Sequence, residues 1–256
     1  RRSSDLPKEQ YSSFRGGFSI SLDGNNDENN ETTEEEKNIP STTFDDIGGI
    51  DSIVQQSKGR KVIGLGHSLG SVLTLMAAYR RPELFSQVIM LDPPLIIGKA
   101  SFVFHLAKLF KPKLVDKITP AGLSVRRRDH WESREQAAEL LRNKGFYQHF
   151  DPDCFQAYID YALADDPRKG GVTLTIPKDD EVELFRTTPS MWWLPMPKPK
   201  VPVHLVVGSD SVFLKEKFPQ VAKKKLGIPF SIVAGGHMFP LEHPTETVMK
   251  IKNLIR

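Results

Sequence analysis

The sequence has only one cysteine, Cys154, among 256 residues. A single cysteine cannot form a disulfide within the chain, which excludes a small scaffold held together by cystines and a zinc site built on spaced cysteines. Long apolar runs are also absent. The longest ones fall well short of the roughly 18 residues that a membrane-spanning helix needs. The polar N-terminus lacks the hydrophobic region of a secretory signal. We therefore expect a cytoplasmic protein without an integral membrane segment.

Positive charge and apolar side chains are scarce at the start of the chain. Residues 1–50 contain five Lys and Arg but eleven Asp and Glu, a charge of −6, while the whole chain carries +3. The run from Asp23 to Lys37 consists mainly of Asn, Asp, Glu and Thr. Such a segment cannot bury enough apolar surface to offset the entropy of ordering it. We predict that residues 1–42 are disordered and that one domain occupies residues 43–256.

The rest of the chain alternates short β-branched runs with helical patterns. Four buried strands are predicted at Lys61–Leu65, Val88–Leu91, Val203–Val207 and Phe230–Val233. This alternation indicates an α/β fold, a mainly parallel sheet flanked by helices. Residues 95–200 have a helical pattern, with candidate helices at Ala100–Phe110, Ser133–Asn143 and Pro152–Ala164. We interpret residues 95–200 as a helical cap inserted between strands, over the edge where open α/β sheets bind ligands.

A Gly-x-Ser-x-Gly motif, Gly66-His67-Ser68-Leu69-Gly70, stands between the first of these strands and an apolar helix. This position is typical of a nucleophile elbow, a sharp turn that exposes the serine hydroxyl. The glycines relieve the crowding that the turn creates, and the helix N-terminus favours a developing negative charge. The motif predicts Ser68 as a nucleophile and the N–H of Leu69 as a donor of an oxyanion hole.

A serine nucleophile needs a base and a carboxylate that orients it. His237 is the best candidate for the base, because it lies on a glycine-containing loop between the last strand and the last helix. Asp210 follows the third strand, 27 residues before His237, and gives the chain order serine, aspartate, histidine. Asp92, after the second strand, is the reserve acid.

These landmarks resemble the α/β-hydrolase superfamily, specifically its serine esterase and lipase-like branch with a helical cap. The resemblance covers residues 58–256 and rests on Gly66–Gly70, Val88–Pro93, Val203–Asp210 and Gly235–Pro244. It implies hydrolysis of an acyl bond through an acyl-enzyme. Related enzymes usually carry the acid three residues after the glycine that ends the strand, where this sequence has Ser211, and some carry it at the position of Asp92. The acid therefore stays open between Asp210 and Asp92.

The segment before the elbow departs from the superfamily pattern. Related enzymes have further strands there and a His-Gly loop that supplies a second oxyanion donor, whereas residues 1–57 show neither. The glycine pair Gly16-Gly17 lacks strand context. Residues 43–50 weakly resemble the segment that leads into AAA ATPase domains, yet no phosphate-binding loop follows. Three origins of residues 1–57 stay open: a native part of the protein, a fused foreign segment, or an error in the gene model.

The cap is rich in apolar side chains, including Phe102, Phe104, Leu106 and Phe110. An apolar cap over a serine nucleophile suggests a lipophilic acyl substrate, although packing of the cap onto the core would use the same residues. His67, Trp192 and Trp193 are the candidate walls of the substrate pocket. The pattern predicts no cofactor, metal or nucleic acid partner.

The leading hypothesis is a serine hydrolase that cleaves a carboxylic ester or related acyl bond of a lipophilic small molecule. Two alternatives remain open. One is a non-catalytic binding protein with the same fold, and the other is a hydrolase of carbon–carbon bonds that uses the same three side chains.

Overall fold

The computed structural model describes residues 18–22, as backbone alone, together with residues 57–192 and 194–255. The predictions for residues 1–17 and 23–56, including the segment 43–50, lie outside the described residues. The strands in chain order are β1 Phe18–Leu22, β2 Val62–His67, β3 Phe85–Leu91, β4 His130–Trp131, β5 Leu163–Asp165, β6 Val172–Leu174, β7 Val203–Gly208 and β8 Phe230–Val233.

Eleven α-helices occur in the described part of the chain, together with a short 3-10 helix at Pro82–Leu84. The α-helices are α1 Leu69–Arg80, α2 Lys99–Phe110, α3 Pro112–Ile118, α4 Ala121–Arg126, α5 Arg134–Arg142, α6 Pro152–Tyr161, α7 Lys178–Thr187, α8 Val212–Lys215, α9 Phe218–Leu226, α10 Phe239–Glu242 and α11 Pro244–Leu254. In the described residues, none of these helices is long and apolar enough to cross a membrane.

The larger sheet has the strand order β1-β2-β3-β7-β8. The pairs β2–β3 and β7–β8 are parallel, as predicted for an α/β fold. The strand β1 pairs antiparallel with β2, from Phe18 opposite Gly66 to Leu22 opposite Val62. This strand directly follows Gly16-Gly17, so the expectation that the glycine pair lacks strand context was wrong. The segment Phe18–Leu22 alternates apolar and polar residues as a strand does, but its five residues give only a weak signal, and pairing with β2 defines the strand.

The chain divides into two compact units, of which the first contains Arg1–Leu91 and Pro199–His204. Its described core consists of the buried faces of β2, β3 and α1, with Val62, Leu75, Val88 and Ile89 almost inaccessible to solvent. These strands are continuous apolar runs because a parallel strand is covered on both faces. Helix α1 packs against both strands and begins directly at the elbow.

The second unit contains Asp92–Lys198 and Leu205–Arg256. Residues 95–200 form helices at the three predicted places, and they also form a small antiparallel sheet of order β4-β6-β5 that the sequence analysis did not predict. Its strands have two or three residues each, which is too short for a clear alternating pattern. A cluster around Trp131, Phe150, Ile159 and Val172 forms the hydrophobic core of this region.

Candidate active site

Ser68 stands at the junction of β2 and α1 with a strained backbone. Its φ of 53° and ψ of −127° belong to a region that residues with a side chain rarely adopt. The N–H of Ser68 donates to the carbonyl oxygen of Leu91 over 2.9 Å, and its own carbonyl accepts from the N–H and the hydroxyl of Ser71. These bonds hold the strained turn in place, as a nucleophile elbow requires.

Gly66 makes the elbow sterically feasible. A Cβ atom at this position would lie 2.6 Å from the carbonyl carbon and oxygen of Gly70 and from the Cα of Ser71. These are backbone atoms of the first turn of α1, so they cannot rotate away as a flexible side chain would. The motif therefore needs glycine at position 66 because strand and helix backbones approach each other there.

We predict that Gly66→Ala lowers the free energy of unfolding by about 1–3 kcal/mol, because the added methyl group forces the first turn of α1 to move. Urea unfolding followed by circular dichroism measures this change. Gly145→Ala is the matched control, since a Cβ atom there meets nothing within 4 Å. Equal stability of the two variants would contradict the prediction.

His237 and Asp92 form a hydrogen-bonded pair in the second unit. The Nδ1 atom of His237 lies 2.7 Å from Oδ2 of Asp92. Asp92 directly follows β3 and is completely buried, whereas the imidazole of His237 is one-third exposed, at 33%. The carboxylate accepts a hydrogen bond from Nδ1–H, and this selects the tautomer in which Nε2 is the proton acceptor.

Two further donors surround the Asp92 carboxylate. The N–H of Gly208 donates to Oδ1 over 3.0 Å, and the hydroxyl of Ser211 donates to Oδ2 over 2.6 Å. The backbone N–H of Asp92 donates to the carbonyl of Val206 over 2.8 Å. A buried carboxylate is costly unless donors of this kind satisfy it. Both oxygens of Asp92 are thus held in place, and the carboxylate can orient the imidazole.

The loop that carries His237 is fixed on several sides. Gly235 has a φ of +106°, which suits glycine alone, and the N–H of Gly236 donates to the Glu242 carboxylate over 2.8 Å. The ring of Phe213 packs edge-on against the imidazole, with 5.2 Å between ring centroids. Met238 and Leu241, which follow His237 in the chain, pack against the hydrophobic cluster around Trp131.

Asp210, the first candidate for the acid, lies in a different environment. Its side chain is exposed and accepts a hydrogen bond from the hydroxyl of Ser209 over 3.1 Å. Its backbone N–H donates to the carbonyl of Gly235 over 3.0 Å. The structure therefore brings the reserve candidate Asp92, and not the Asp210 carboxylate, to Nδ1 of His237.

The remaining predicted residues occupy separate places. His67 ends β2 and Leu69 begins α1, so both flank Ser68 in the chain. Trp192 is buried and Trp193 lies outside the described residues. Trp192 lines a cavity of about 350 Å³ whose other walls come from Ile97, Leu194, Pro195, Met196, Lys225 and Leu226. Sequence reasoning missed Ser211 and Gly208 as partners of the acid.

Metal ligation has no support in the described residues, where no group of three or more His, Cys, Asp or Glu side chains could hold an ion. The groups described above are a histidine oriented by a carboxylate and a half-buried serine at a strained turn. Each of these residues follows the carboxyl end of a strand in the chain. Ser68 follows β2 and Asp92 follows β3, and Ser211 and His237 come a few residues after the ends of β7 and β8. Carboxyl ends of parallel strands are where α/β sheets place their sites.

Comparison with curated proteins finds relatives over less than half of the chain. The type I acyl-CoA thioesterase mpaH of Penicillium roqueforti is 30% identical over 108 residues, 42% of this chain and 22% of the relative. An abhydrolase domain-containing protein of Alternaria alternata is 30% identical over 110 residues, 41% of this chain and 34% of the relative. The matched segment thus spans between about a fifth and a third of these relatives.

Solved structures share the fold over most of the chain. E-2-(acetamidomethylene)succinate hydrolase aligns with a TM-score of 0.59 at 20% identity, covering 82% of this chain and 70% of that chain. The thioesterase domain from the curacin biosynthetic pathway aligns with a TM-score of 0.58 at 18% identity, covering 80% and 70%. The sequence pattern of the alpha/beta hydrolase family matches residues 16–250. The predicted fold and resemblance are therefore confirmed, and the chain belongs to the alpha/beta hydrolase family.

Proposed function

We propose that this protein is a serine hydrolase that cleaves a carboxylic ester or thioester, with Ser68 as nucleophile, His237 as base and Asp92 as the acid. The observation that carries the proposal is the 2.7 Å hydrogen bond from Nδ1 of His237 to the buried Asp92. A carboxylate in this position stabilises the imidazolium that forms when histidine accepts the serine proton.

The backbone around Ser68 supports its partnership with this pair. The N–H of Ser68 bonds to the carbonyl of Leu91, and Leu91 is joined by the next peptide bond to Asp92. In the chain, Ser68 directly follows β2 and Asp92 directly follows β3, the two strands of a parallel pair. The strain at Ser68 is a second indication, because residues held in rare backbone conformations concentrate at functional sites.

The reaction follows from the roles of these groups. His237 takes the proton of the Ser68 hydroxyl while the oxygen attacks the carbonyl carbon of the substrate. The bond to the leaving alcohol or thiol then breaks, and the leaving group takes the proton from His237. Water attacks the resulting acyl-enzyme, His237 accepts a proton from that water, and the ester bond to Ser68 breaks with return of the proton.

The oxyanion of each tetrahedral intermediate needs hydrogen-bond donors. We assign the N–H of Leu69 to this role, because Leu69 is the first residue of α1 and follows the nucleophile directly. The N-terminus of this 12-residue helix adds partial positive charge near the same point.

For the substrate, we propose a lipophilic acyl group, with cleavage in the cytoplasm. The cavity beside Trp192 has the size of a small-ligand pocket and is lined by six apolar side chains and Lys225, and none of Ser68, Asp92 and His237 is among its lining residues. The mpaH relative is described as an acyl-CoA thioesterase, which agrees with a thioester among the substrates. Trp192 and His67 remain the candidates for contacts with the acyl chain.

Labelling with a fluorophosphonate probe tests the proposal. We expect the folded protein to form a covalent adduct, and peptide mass spectrometry should locate the adduct on Ser68, because only an activated serine hydroxyl reacts readily. Ser209→Ala is the matched control, since it removes an exposed serine hydroxyl on the neighbouring loop and should leave labelling unchanged. A folded wild type that stays unlabelled would sink the proposal and favour a non-catalytic binding protein.

A further inference from the structure

The outward face of helix α2 is apolar, the reverse of a normal surface helix. Val103, Leu109 and Phe110 expose 65%, 60% and 76% of their surface, and Phe102 exposes 42%. The opposite face, with Phe104, is buried against the protein. A surface helix ordinarily directs its apolar stripe to the core and polar side chains to water. This helix has apolar residues on both sides, so its outer side lacks the usual polar cover.

Helix α3 extends the apolar face, because it packs next to α2. Leu114 and Ile118 are exposed there, while Val115 points inward. Residues 99–118 carry seven of the eighteen large hydrophobic side chains that the described part of the chain exposes. The two exposed phenylalanines of α2, Phe102 and Phe110, alone expose on the order of 200 Å², so the whole face exceeds a few hundred Å². Apolar patches of this size mark interaction surfaces.

Lysines frame this face, and carboxylates do not. Among residues 99–118 there are five lysines and one carboxylate, a net charge of +4. The four exposed ones are Lys99, Lys111, Lys113 and Lys117. Lys108 is turned inward, where its Nζ donates to the carbonyl of Thr188 over 2.8 Å.

The single carboxylate, Asp116, does not offset the exposed lysines. Both of its oxygens accept hydrogen bonds from the guanidinium of Arg186, over 2.9 Å and 2.8 Å. Beyond this face, α4 packs against α7, which carries exposed Asp179, Asp180 and Glu183. Helix α4 continues the exposed apolar surface with Leu123 and Val125, and the acidic side chains lie beyond it on α7.

We propose that the face formed by residues 99–118 binds the surface of an anionic lipid bilayer. Exposed Phe, Leu and Val side chains enter the boundary between headgroups and acyl chains, and the lysines contact lipid phosphates and carboxylates. A second copy of the chain fits less well, because two such faces would bring like charges together. This binding is peripheral, and it does not depend on the hydrolase function proposed above.

Cosedimentation with lipid vesicles tests the proposal on the full chain. We expect binding to vesicles of phosphatidylcholine with about one-third phosphatidylserine, and much weaker binding to phosphatidylcholine alone. Replacing Leu109 and Phe110 together by serine should weaken binding by at least about tenfold. Replacing Lys111 and Lys113 together by alanine should weaken it by about 30-fold, since each lysine near a membrane contributes roughly a factor of five.

Matched controls separate this face from general stickiness. Val248 and Met249 are similarly exposed on α11, and replacing both by serine should leave vesicle binding unchanged. Lys111 and Lys113 are both exposed, so replacing them should leave the fold intact and tests the proposal even if the apolar replacements impair folding. Circular dichroism reports the folding of each variant. The proposal is overturned if the wild type does not bind anionic vesicles, or if replacing Val248 and Met249 weakens binding as much as replacing Leu109 and Phe110. It is also overturned if the protein does not bind vesicles and ultracentrifugation shows a dimer that dissociates when Leu109 and Phe110 are replaced.

Discussion

Replacement of Ser68 by alanine is expected to lower kcat/KM for an activated ester by about 10⁴–10⁶, with the fold unchanged. The hydroxyl oxygen is the only part of the side chain that the proposed chemistry uses. Alanine keeps the Cβ atom and therefore keeps the backbone strain at φ 53°. Hydrolysis of a p-nitrophenyl ester, measured beside thermal unfolding, gives both quantities.

A glycine at the same position separates strain from chemistry. Ser68→Gly removes the side chain that makes the elbow conformation unfavourable, so this variant should be equally inactive but more stable by about 1–2 kcal/mol. Ser209→Ala should retain full activity. Residual activity in Ser68→Ala close to the wild-type level would remove Ser68 from the mechanism.

Replacement of Asp92 by asparagine is expected to lower kcat by about 10⁴, close to the effect expected for the nucleophile. The amide has the shape of the carboxylate but lacks the negative charge that stabilises the imidazolium. It can also donate its own N–H to Nδ1 of His237, which then presents the wrong tautomer. Steady-state hydrolysis of the same ester measures the loss.

Asp210→Asn is the matched control for this substitution, because it makes the same change at the competing candidate. Asp210 is exposed and bonded to Ser209, so its replacement should change kcat by less than about threefold. The reverse ranking, with Asp210→Asn severely impaired and Asp92→Asn active, would reassign the acid.

Ser211 allows a rescue experiment. Its hydroxyl already lies 2.6 Å from the oxygen of Asp92 that binds His237, and related enzymes usually carry their acid at this position. A carboxylate introduced by Ser211→Asp in the Asp92→Asn background can therefore approach the imidazole. We expect this double variant to recover at least about tenfold in kcat over Asp92→Asn alone, and no recovery would show that the site cannot accept the acid from this loop.

The fold class and the elbow were predictable because their signals are local. A continuous apolar run, a Gly-x-Ser-x-Gly turn and an apolar helix follow one another within about 20 residues. Glycine is needed at position 66 because the backbone of Gly70, only four residues away, leaves no room for a side chain. The loop of His237 was recognisable for the same reason, since its glycines permit the backbone that the turn needs.

The partner of His237 was not predictable from spacing. Asp92 and Asp210 both follow a strand, and the choice depends on which carboxylate the packing of β3, β7 and the His237 loop turns inward. Asp92 is 145 residues from His237 in the chain. Its burial, and the donors from Gly208 and Ser211, arise only when those strands assemble.

The segment of residues 95–200 shows the same division between pattern and packing. Its apolar content was evident, but Phe102, Phe104, Leu106 and Phe110 were indistinguishable as core or as pocket. The structure buries Phe104 and exposes Phe102, Leu106 and Phe110, which turns part of that content into a surface. Composition does not reveal direction, because the face that a helical residue occupies depends on its neighbours in space.

The sequence by itself excluded an internal disulfide, because it has one cysteine. It also determined the alternation of strands and helices, the elbow at Ser68 and the glycine loop of His237, because each of these depends on residues close together in the chain. Tertiary structure alone decided that Asp92 meets His237, that Ser211 supports it and that α2 turns an apolar face outward. Those features depend on contacts between distant segments, whose free energy exists only in the folded chain.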